Sequence, residues 1–236
     1  MEERSSQYFK NKGSKENDTA ITGAKLFIFF YFMIFLIFFV WFSINGGFNE
    51  PWRQLISFLA KGEVSTQNLS WQTKDTIIGF VLLNLGLSVI VVVLLSLIFG
   101  KGPMIYFEKW KRFLDLKMPV LLYDLLGGVA AEEIVFRWFP LVVLLPLWNT
   151  SLALWTIILG SSIIFGLLHI FNYKPGQRKG YWYWCTPQIL SGVIDSYILL
   201  SYSFWGALFA HLIFDVLVIV PLKIAHNVDP QLLAAE

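Results

Sequence analysis

Two runs of apolar residues, 26–44 and 76–99, contain no charged side chain at all. A helix needs about 20 such residues to cross the roughly 30 Å hydrocarbon core of a bilayer, and both runs have that length. Further apolar segments follow at 118–148, 151–171, 186–202 and 204–224. Only 14% of the chain is charged, against about 25% in soluble domains. The sequence therefore predicts an all-α polytopic membrane bundle of about 6–8 transmembrane helices.

Charge divides the chain into a polar tail and one membrane domain. Residues 1–25 are rich in Ser, Asn and Lys and too poor in apolar groups to fold alone, so we expect a disordered tail. Basic residues concentrate in this tail and in residues 101–117, which predicts that both lie in the cytoplasm. We expect a multi-pass protein of the cell membrane with a cytoplasmic N-terminus, a single membrane domain over 26–226 and a short tail over 227–236. The net charge of +2 gives no reason to expect a nucleic acid partner.

Two adjacent glutamates, Glu132 and Glu133, stand inside the apolar segment 118–148. A charge at the centre of a bilayer costs about 2.5–3.5 kcal/mol on insertion scales, so these carboxylates need partners or a function. On a helix Glu133 shares a face with Arg137, four residues later, which predicts an ion pair. Glu132 points about 100° away from Glu133. This spacing predicts one carboxylate engaged in structure and one free for chemistry.

The same segment contains small residues and prolines that shape it. Gly127, Gly128 and the Ala130–Ala131 pair favour the close approach of another helix. Pro140 and Pro146 predict a kink or a break. One long bent span with Glu132 near its middle fits these features, and so does a span followed by a re-entrant piece.

The remaining polar groups in apolar surroundings are His169, His211 and Asp215. His211 and Asp215 are four residues apart and share a helical face. A glutamate near two imidazoles can activate a water molecule as a general base, while a histidine stabilises the oxyanion. Two histidines and one glutamate also form a zinc ligand set with an open position for water. Separate helices carry these residues, so the spacing does not decide between a metal and a metal-free site.

The order Glu132-Glu133-x-x-x-Arg137, Phe165-x-x-x-His169 and His211-x-x-x-Asp215 resembles the three motifs of the CPBP family. This family comprises CAAX prenyl endopeptidases and bacteriocin-processing enzymes, also called Abi proteins. The resemblance implies an intramembrane endopeptidase whose catalytic half is 118–225 and whose base is Glu132. It implies that His169 and His211 hold the water, a zinc ion or the oxyanion, so the site is either zinc-dependent or metal-free.

The resemblance also assigns the supporting residues. Glu133 and Arg137 form the supporting pair, and Phe165 supports the site beside His169. The last motif commonly ends in Asn, so Asp215 is a departure that adds a negative charge and is expected to orient His211 or bind substrate. The implied substrate is a peptide or a membrane protein in the bilayer; the eukaryotic association of the family is a prenylated C-terminal peptide.

Two other functions are open at this point. Members of this family are associated with self-immunity against bacteriocins, which a non-hydrolytic binding protein of the same fold could provide. Intramembrane acids and histidines also form proton relays in transporters, but the chain has no internal repeat of the kind that transporters show. Asp124 is expected near a helix entrance and His226 at the surface. Asp195 is a polar group that could line the same cavity, although no motif claims it.

Overall fold

The computed structural model describes residues 30–61 apart from 32, 35, 38, 42, 45 and 47, together with residues 74–100, 104–148 and 150–228. The tails predicted over 1–25 and over most of 227–236 lie outside the described residues, as does the beginning of the run 26–44. In the described part of the chain the fold is helical, with no strand. This confirms the predicted all-α class.

The described residues between 30 and 44 are helical, and we call this helix α1. The α-helices that follow are α2 (Asn49–Lys61), α3 (Lys74–Phe99), α4 (Met104–Glu108), α5 (Lys111–Leu114), α6 (Met118–Glu133), α7 (Ser151–Leu168), α8 (Arg178–Tyr181), α9 (Thr186–Ser201) and α10 (Phe204–Val228). Tyr31 on α1 donates a hydrogen bond to the backbone carbonyl of Leu217 on α10 over 3.0 Å. This bond joins the first and the last described helices.

Three helical segments of the described chain are long and apolar enough to cross a bilayer, namely Thr76–Phe99, Ser151–Asn172 and Phe204–Val228. They coincide with three of the runs expected from the sequence, because composition and length define such runs without reference to any tertiary contact. The last one is four residues longer than expected and includes His226. This side chain is buried and its Nε2 lies 3.0 Å from Asp115 Oδ1, so the expectation of a surface histidine is wrong.

Helix α9 lies at the centre of the bundle and packs against α7, α3 and α10. It carries buried polar groups, and one of them, Ser191, accepts a hydrogen bond from Asn84 on α3 over 2.7 Å. Glycine permits the close contact with α7: a Cβ on Gly166 would collide with Ile189 and lie 2.9 Å from its backbone nitrogen. Because α9 meets protein on its flanks, most of its polar side chains are buried inside the bundle rather than exposed to lipid.

Helix α6 does not end at its carboxylates but continues as a π-helical stretch, Ile134–Leu144. Pro140 lies inside this stretch and has no backbone N–H to donate, which accounts for a departure from regular α-helical bonding there. A short 3₁₀ turn, Leu145–Leu147, completes the segment. Residues 118–147 are thus one continuous helical element with irregular bonding in its second half.

Two short helices, α4 and α5, lie between α3 and α6 in the chain, and α5 is attached to the end of α10. Lys223 donates a hydrogen bond from Nζ to the backbone carbonyl of Leu114. Asp115, the residue after Leu114, bonds to His226 of the same helix α10. The end of α10 therefore fixes the position of α5, which carries Phe113.

Candidate active site

The two adjacent glutamates of α6 occupy different environments. The Glu133 side chain is fully buried, whereas the Glu132 side chain is 35% exposed. Their directions differ because successive residues of a helix are rotated by about 100°. Glu133 faces the interior of the bundle, and Glu132 faces a cavity.

Arg137 occupies the interior beside Glu133. Its Nη1 lies 3.4 Å from Glu133 Oε1, so the two groups predicted to pair from their spacing are at ion-pair distance. Its Nη2 lies 3.7 Å from Asp195 Oδ2 on α9. The guanidinium also lies over the ring of Phe165, with Cζ 3.8 Å from the ring centroid. A buried arginine is thus held by two carboxylates and an aromatic face, as desolvated guanidinium groups require.

His211 is oriented by Glu133. Its Nδ1 lies 2.7 Å from Glu133 Oε1, and because a carboxylate accepts, the imidazole donates from Nδ1. Its Nε2 therefore points the other way, 3.7 Å from Glu132 Oε2 and 3.9 Å from Asp215 Oδ2. Both distances are too long for direct hydrogen bonds. They leave Nε2 able to contact a third group placed between these side chains.

His169 is oriented by the backbone. It begins a 3₁₀ turn, His169–Asn172, at the point where α7 ends. Its Nδ1 lies 2.9 Å from the carbonyl oxygen of Phe165, which can only accept, so Nδ1 carries the proton. In the neutral ring Nε2 then has a free lone pair. This tautomer suits a group that binds a metal or accepts a proton from water.

The ring of Phe165 stands between the two imidazoles. Its centroid is 4.7 Å from that of His169 and 5.9 Å from that of His211, and both contacts are edge-on. An edge-on aromatic contact is favoured over a face-to-face one and restricts the rotation of both rings. Phe165 therefore contacts Arg137 and both histidines at once.

The cavity has a volume of about 290 Å³ and is open on one side. Its polar lining includes Glu132, His169 and Asp215, together with Asp124 and Asn172. Ligand pockets begin at about this size, so a short stretch of peptide and a water molecule can be accommodated. Of the residues expected in the site, Glu132, His169 and Asp215 line the cavity, His211 lies directly behind them, and Glu133, Arg137 and Phe165 form the layer beneath.

Sequence reasoning missed two buried charged groups. The sequence suggested that Asp195 could line the cavity; it does not, and it is instead the second partner of Arg137. Lys109 was counted among the loop cations, yet it is 1% exposed, with Nζ 3.8 Å from the centroid of the Tyr106 ring. Burial lowers the pKa of Lys109 to about 7. Neither residue has a spacing signal, because each finds its partners through tertiary packing.

One group of the described residues brings three metal-ligating side chains together, with ligand atoms within 4.8 Å of one another: Glu133, Asp195 and His211. This group does not fit a divalent cation. Arg137 already lies at ion-pair distance from both carboxylates, and the Nδ1 proton of His211 points at Glu133. A cation there would also lie beside a buried guanidinium.

The zinc ligands expected from the sequence lie toward the cavity. Their ligand atoms are further apart than those of Glu133, Asp195 and His211. His169 fits the chemistry of a ligand, because a hydrogen bond from one ring nitrogen to a carbonyl leaves the other free to bind. Glu132 offers a carboxylate at the cavity wall, and His211 offers Nε2.

The fold and the cavity define a class: a helical membrane protein in which carboxylates and imidazoles from three helices converge inside the bundle. Residues 114–217 match the family model described as "Type II CAAX prenyl endopeptidase Rce1-like". This segment contains all three motifs, and over it the chain is similar to CPBP-family proteins, which agrees with the resemblance seen in the sequence. This similarity supports a CAAX-type intramembrane protease at the family level. Comparison with curated proteins and with solved structures gave no match.

Proposed function

We propose that this protein is an endopeptidase that hydrolyses a peptide bond in the membrane by means of a water molecule activated by Glu132. The observation that supports this most is the contrast between the two glutamates. Glu133 is bound by Arg137 and His211, whereas Glu132 faces the cavity with His169 and Asp215. A general base needs that access to the reacting water.

In the proposed reaction a water molecule lies between the Glu132 carboxylate and Nε2 of His169. Glu132 takes a proton as the water oxygen attacks the carbonyl carbon of the substrate, and the carbonyl electron pair moves to its oxygen. His211, protonated on both nitrogens, donates from Nδ1 to Glu133 and from Nε2 to this oxyanion. When the C–N bond breaks, Glu132 returns the proton to the amine that leaves. A positioned base contributes about 10²–10⁴-fold, and one oxyanion donor about 10²–10³-fold.

A zinc ion, which the family resemblance allows, would be held by Glu132, His169 and His211. When bound, zinc polarises the substrate carbonyl and lowers the pKa of a coordinated water. The roles of Glu133 and Phe165 are the same with or without the ion, since both fix the imidazole orientations.

The proposed partners follow from the site and the fold. The substrate is a peptide or the tail of a membrane protein that reaches the cavity from the bilayer. We propose a cell membrane location with six to eight spans and a cytoplasmic N-terminus, because the basic residues concentrate in the tail and in 101–117.

The test is hydrolysis of a prenylated C-terminal peptide by purified protein in lipid vesicles. Glu132→Gln keeps the size of the side chain and removes the base, so cleavage should fall about 10²–10⁴-fold without loss of folded protein. Glu50→Gln is the control, because this exposed carboxylate pairs with Arg53 and does not line the cavity. Cleavage by Glu132→Gln at the unaltered rate would disprove the assignment. If that variant still protects cells from a bacteriocin, the non-hydrolytic immunity function applies instead.

A further inference from the structure

A groove follows α6 away from the candidate catalytic glutamate. Asp124, Gly128 and Glu132 all line the cavity, at intervals of four residues. Eight residues of α-helix measure about 12 Å, so Asp124 and Glu132 mark two ends of one surface. An extended peptide covers about 3.3–3.6 Å per residue, so three to four substrate residues span this distance.

Gly128 forms the floor of the groove. A Cβ placed on Gly128 would meet no atom within 4 Å, and the same is true of Gly127. The close helix contact expected at these two glycines is therefore absent from the described structure, and that expectation is wrong. Gly166, where a Cβ would collide with α9, shows what a packing glycine looks like in this fold. The missing side chain of Gly128 thus opens space along the cavity.

Aromatic side chains form the opposite wall. Trp110 and Phe113 both line the cavity, and their ring centroids are 5.9 Å apart. Next to this wall, Lys223 of α10 bonds to the backbone carbonyl of Leu114, and His226 bonds to the side chain of Asp115. The wall is therefore a fixed surface against which an aliphatic stem or a cation can pack.

The far end of the groove carries a negative charge. Asp124 is exposed, and within the described residues no basic side chain lies at ion-pair distance from it. Asp124 was expected near a helix entrance, but it lies in the second turn of α6 and faces the groove. A carboxylate there attracts a cation and can pair with it at the edge of the solvent, where the desolvation cost is small.

We propose that this groove is a specificity subsite that binds an extended substrate segment carrying a Lys or Arg three to four residues from the scissile bond. The cation pairs with Asp124, its aliphatic stem packs against Trp110 and Phe113, and the peptide backbone passes over Gly128. This inference rests on the proposed function and names a feature of its substrate. The alternative occupant, an apolar side chain at the same position, is an outcome of the test.

The test measures binding in the Glu132→Gln protein, so it does not depend on hydrolysis. Fluorescently labelled peptides with an apolar core carry a single Lys, Gln or Glu, placed in turn at each position, and anisotropy gives the Kd in detergent. At one position the Lys peptide should bind about 3-fold to 10-fold more tightly than the Gln peptide, and the Glu peptide more weakly. Asp124→Lys should reverse this order.

Gly128→Leu and Gly127→Leu form a matched pair on neighbouring positions of one helix. Both replace a poor helix former with a good one, so both should preserve or raise the melting temperature. Only Gly128→Leu fills the groove, and it should weaken binding of every peptide at least 10-fold, while Gly127→Leu leaves Kd unchanged.

Three results with the peptides would overturn the subsite: equal binding of the Lys, Gln and Glu peptides at all positions, no binding of any peptide, or preference for an apolar residue where Lys is expected. The subsite is also overturned if Gly127→Leu weakens binding as much as Gly128→Leu. Cleavage by the unaltered protein is measured in parallel. Charge-selective binding without any cleavage would reject the hydrolytic function and retain the subsite, so the two proposals fail separately.

Discussion

Glu133 Oε1 lies 2.7 Å from Nδ1 of His211, and these two residues are 78 positions apart in the chain. This bond determines which nitrogen of His211 faces the cavity. Glu133→Gln would keep the shape of the side chain but lose the charge that holds the imidazole and balances Arg137. We expect peptide cleavage to fall about 10–100-fold, the range measured when partners that orient a histidine are removed.

The same substitution should lower stability, since removing one partner of a buried ion pair costs about 3–5 kcal/mol. Thermal unfolding in detergent provides this measurement. Glu133→Asp is the companion variant: it keeps the charge on a shorter stem and should lose less stability than Glu133→Gln. Equal activity and stability of Glu133→Gln and the unaltered protein would contradict the orienting role.

Gly166→Ala tests the contact between α7 and α9. The new Cβ would collide with Ile189, whose backbone nitrogen would be 2.9 Å away and cannot move without shifting α9. Overpacking of this kind costs about 1–3 kcal/mol, so the melting temperature should fall. Gly160→Ala on the same helix is the control, because its Cβ would meet nothing within 4 Å. A Gly166→Ala protein as stable as Gly160→Ala would show that the helices are further apart than described.

Lys109 makes stability depend on pH. Burial lowers its pKa to about 7 in the folded protein, compared with about 10.4 in an unfolded chain. Below the pKa of the folded protein, the buried amine is charged and lowers the free energy of unfolding. This destabilisation declines between the folded and the unfolded pKa, and it vanishes above the unfolded pKa. Lys109→Met should therefore raise the melting temperature at about pH 6, and the gain should shrink toward about pH 10.

The control for this experiment is Lys117→Met, since Lys117 is an exposed cation of the same loop. It should change the melting temperature little at any pH. A Lys109→Met protein that is less stable than the unaltered one at the lower pH would mean that the contacts of the ammonium with the rings of Tyr106 and Trp110 outweigh its desolvation.

Lys223 links the end of α10 to the wall of the cavity. Lys223→Met removes the donor to the Leu114 carbonyl and should loosen α5, on which Phe113 lies. The bond of Lys223 is to α5, which carries none of the proposed catalytic side chains, so KM should rise about 3-fold to 10-fold while kcat stays unchanged. One hydrogen bond to a charged group corresponds to about 1.5–3 kcal/mol at most. Steady-state kinetics of Lys223→Met and Lys111→Met provide the measurement. Lys111 is a nearby lysine that makes no such bond in the described structure. A fall in kcat alone would contradict this account.

The sequence was sufficient to predict the helical class and three long apolar helices, because these depend on composition along one segment. It also singled out Glu132, His169 and Asp215, since each is a polar residue in an apolar run. The structure brings all three to one cavity, and their catalytic roles stay predictions. The pairing of Asp195 with Arg137 could not be predicted, because it joins two helices whose relative rotation leaves no trace in local spacing.

Other expectations failed for the same reason. Hydropathy predicts that Lys109 and His226 lie at the polar ends of spans, and only the tertiary fold buries them. Small residues at Gly127 and Gly128 are equally suited to a helix contact and to a cavity floor. Which of the two applies depends on what lies opposite, and that is a property of the tertiary structure.

The position of His211 on α10 has a consequence for biosynthesis. Glu133 and Arg137 are made early and enter the membrane without the imidazole that completes their surroundings, since α10 is translated many residues later. Until α10 inserts and packs against α6, the oxyanion donor proposed above, His211, is not in place. The hydrolytic capacity proposed here would therefore arise only when the bundle closes.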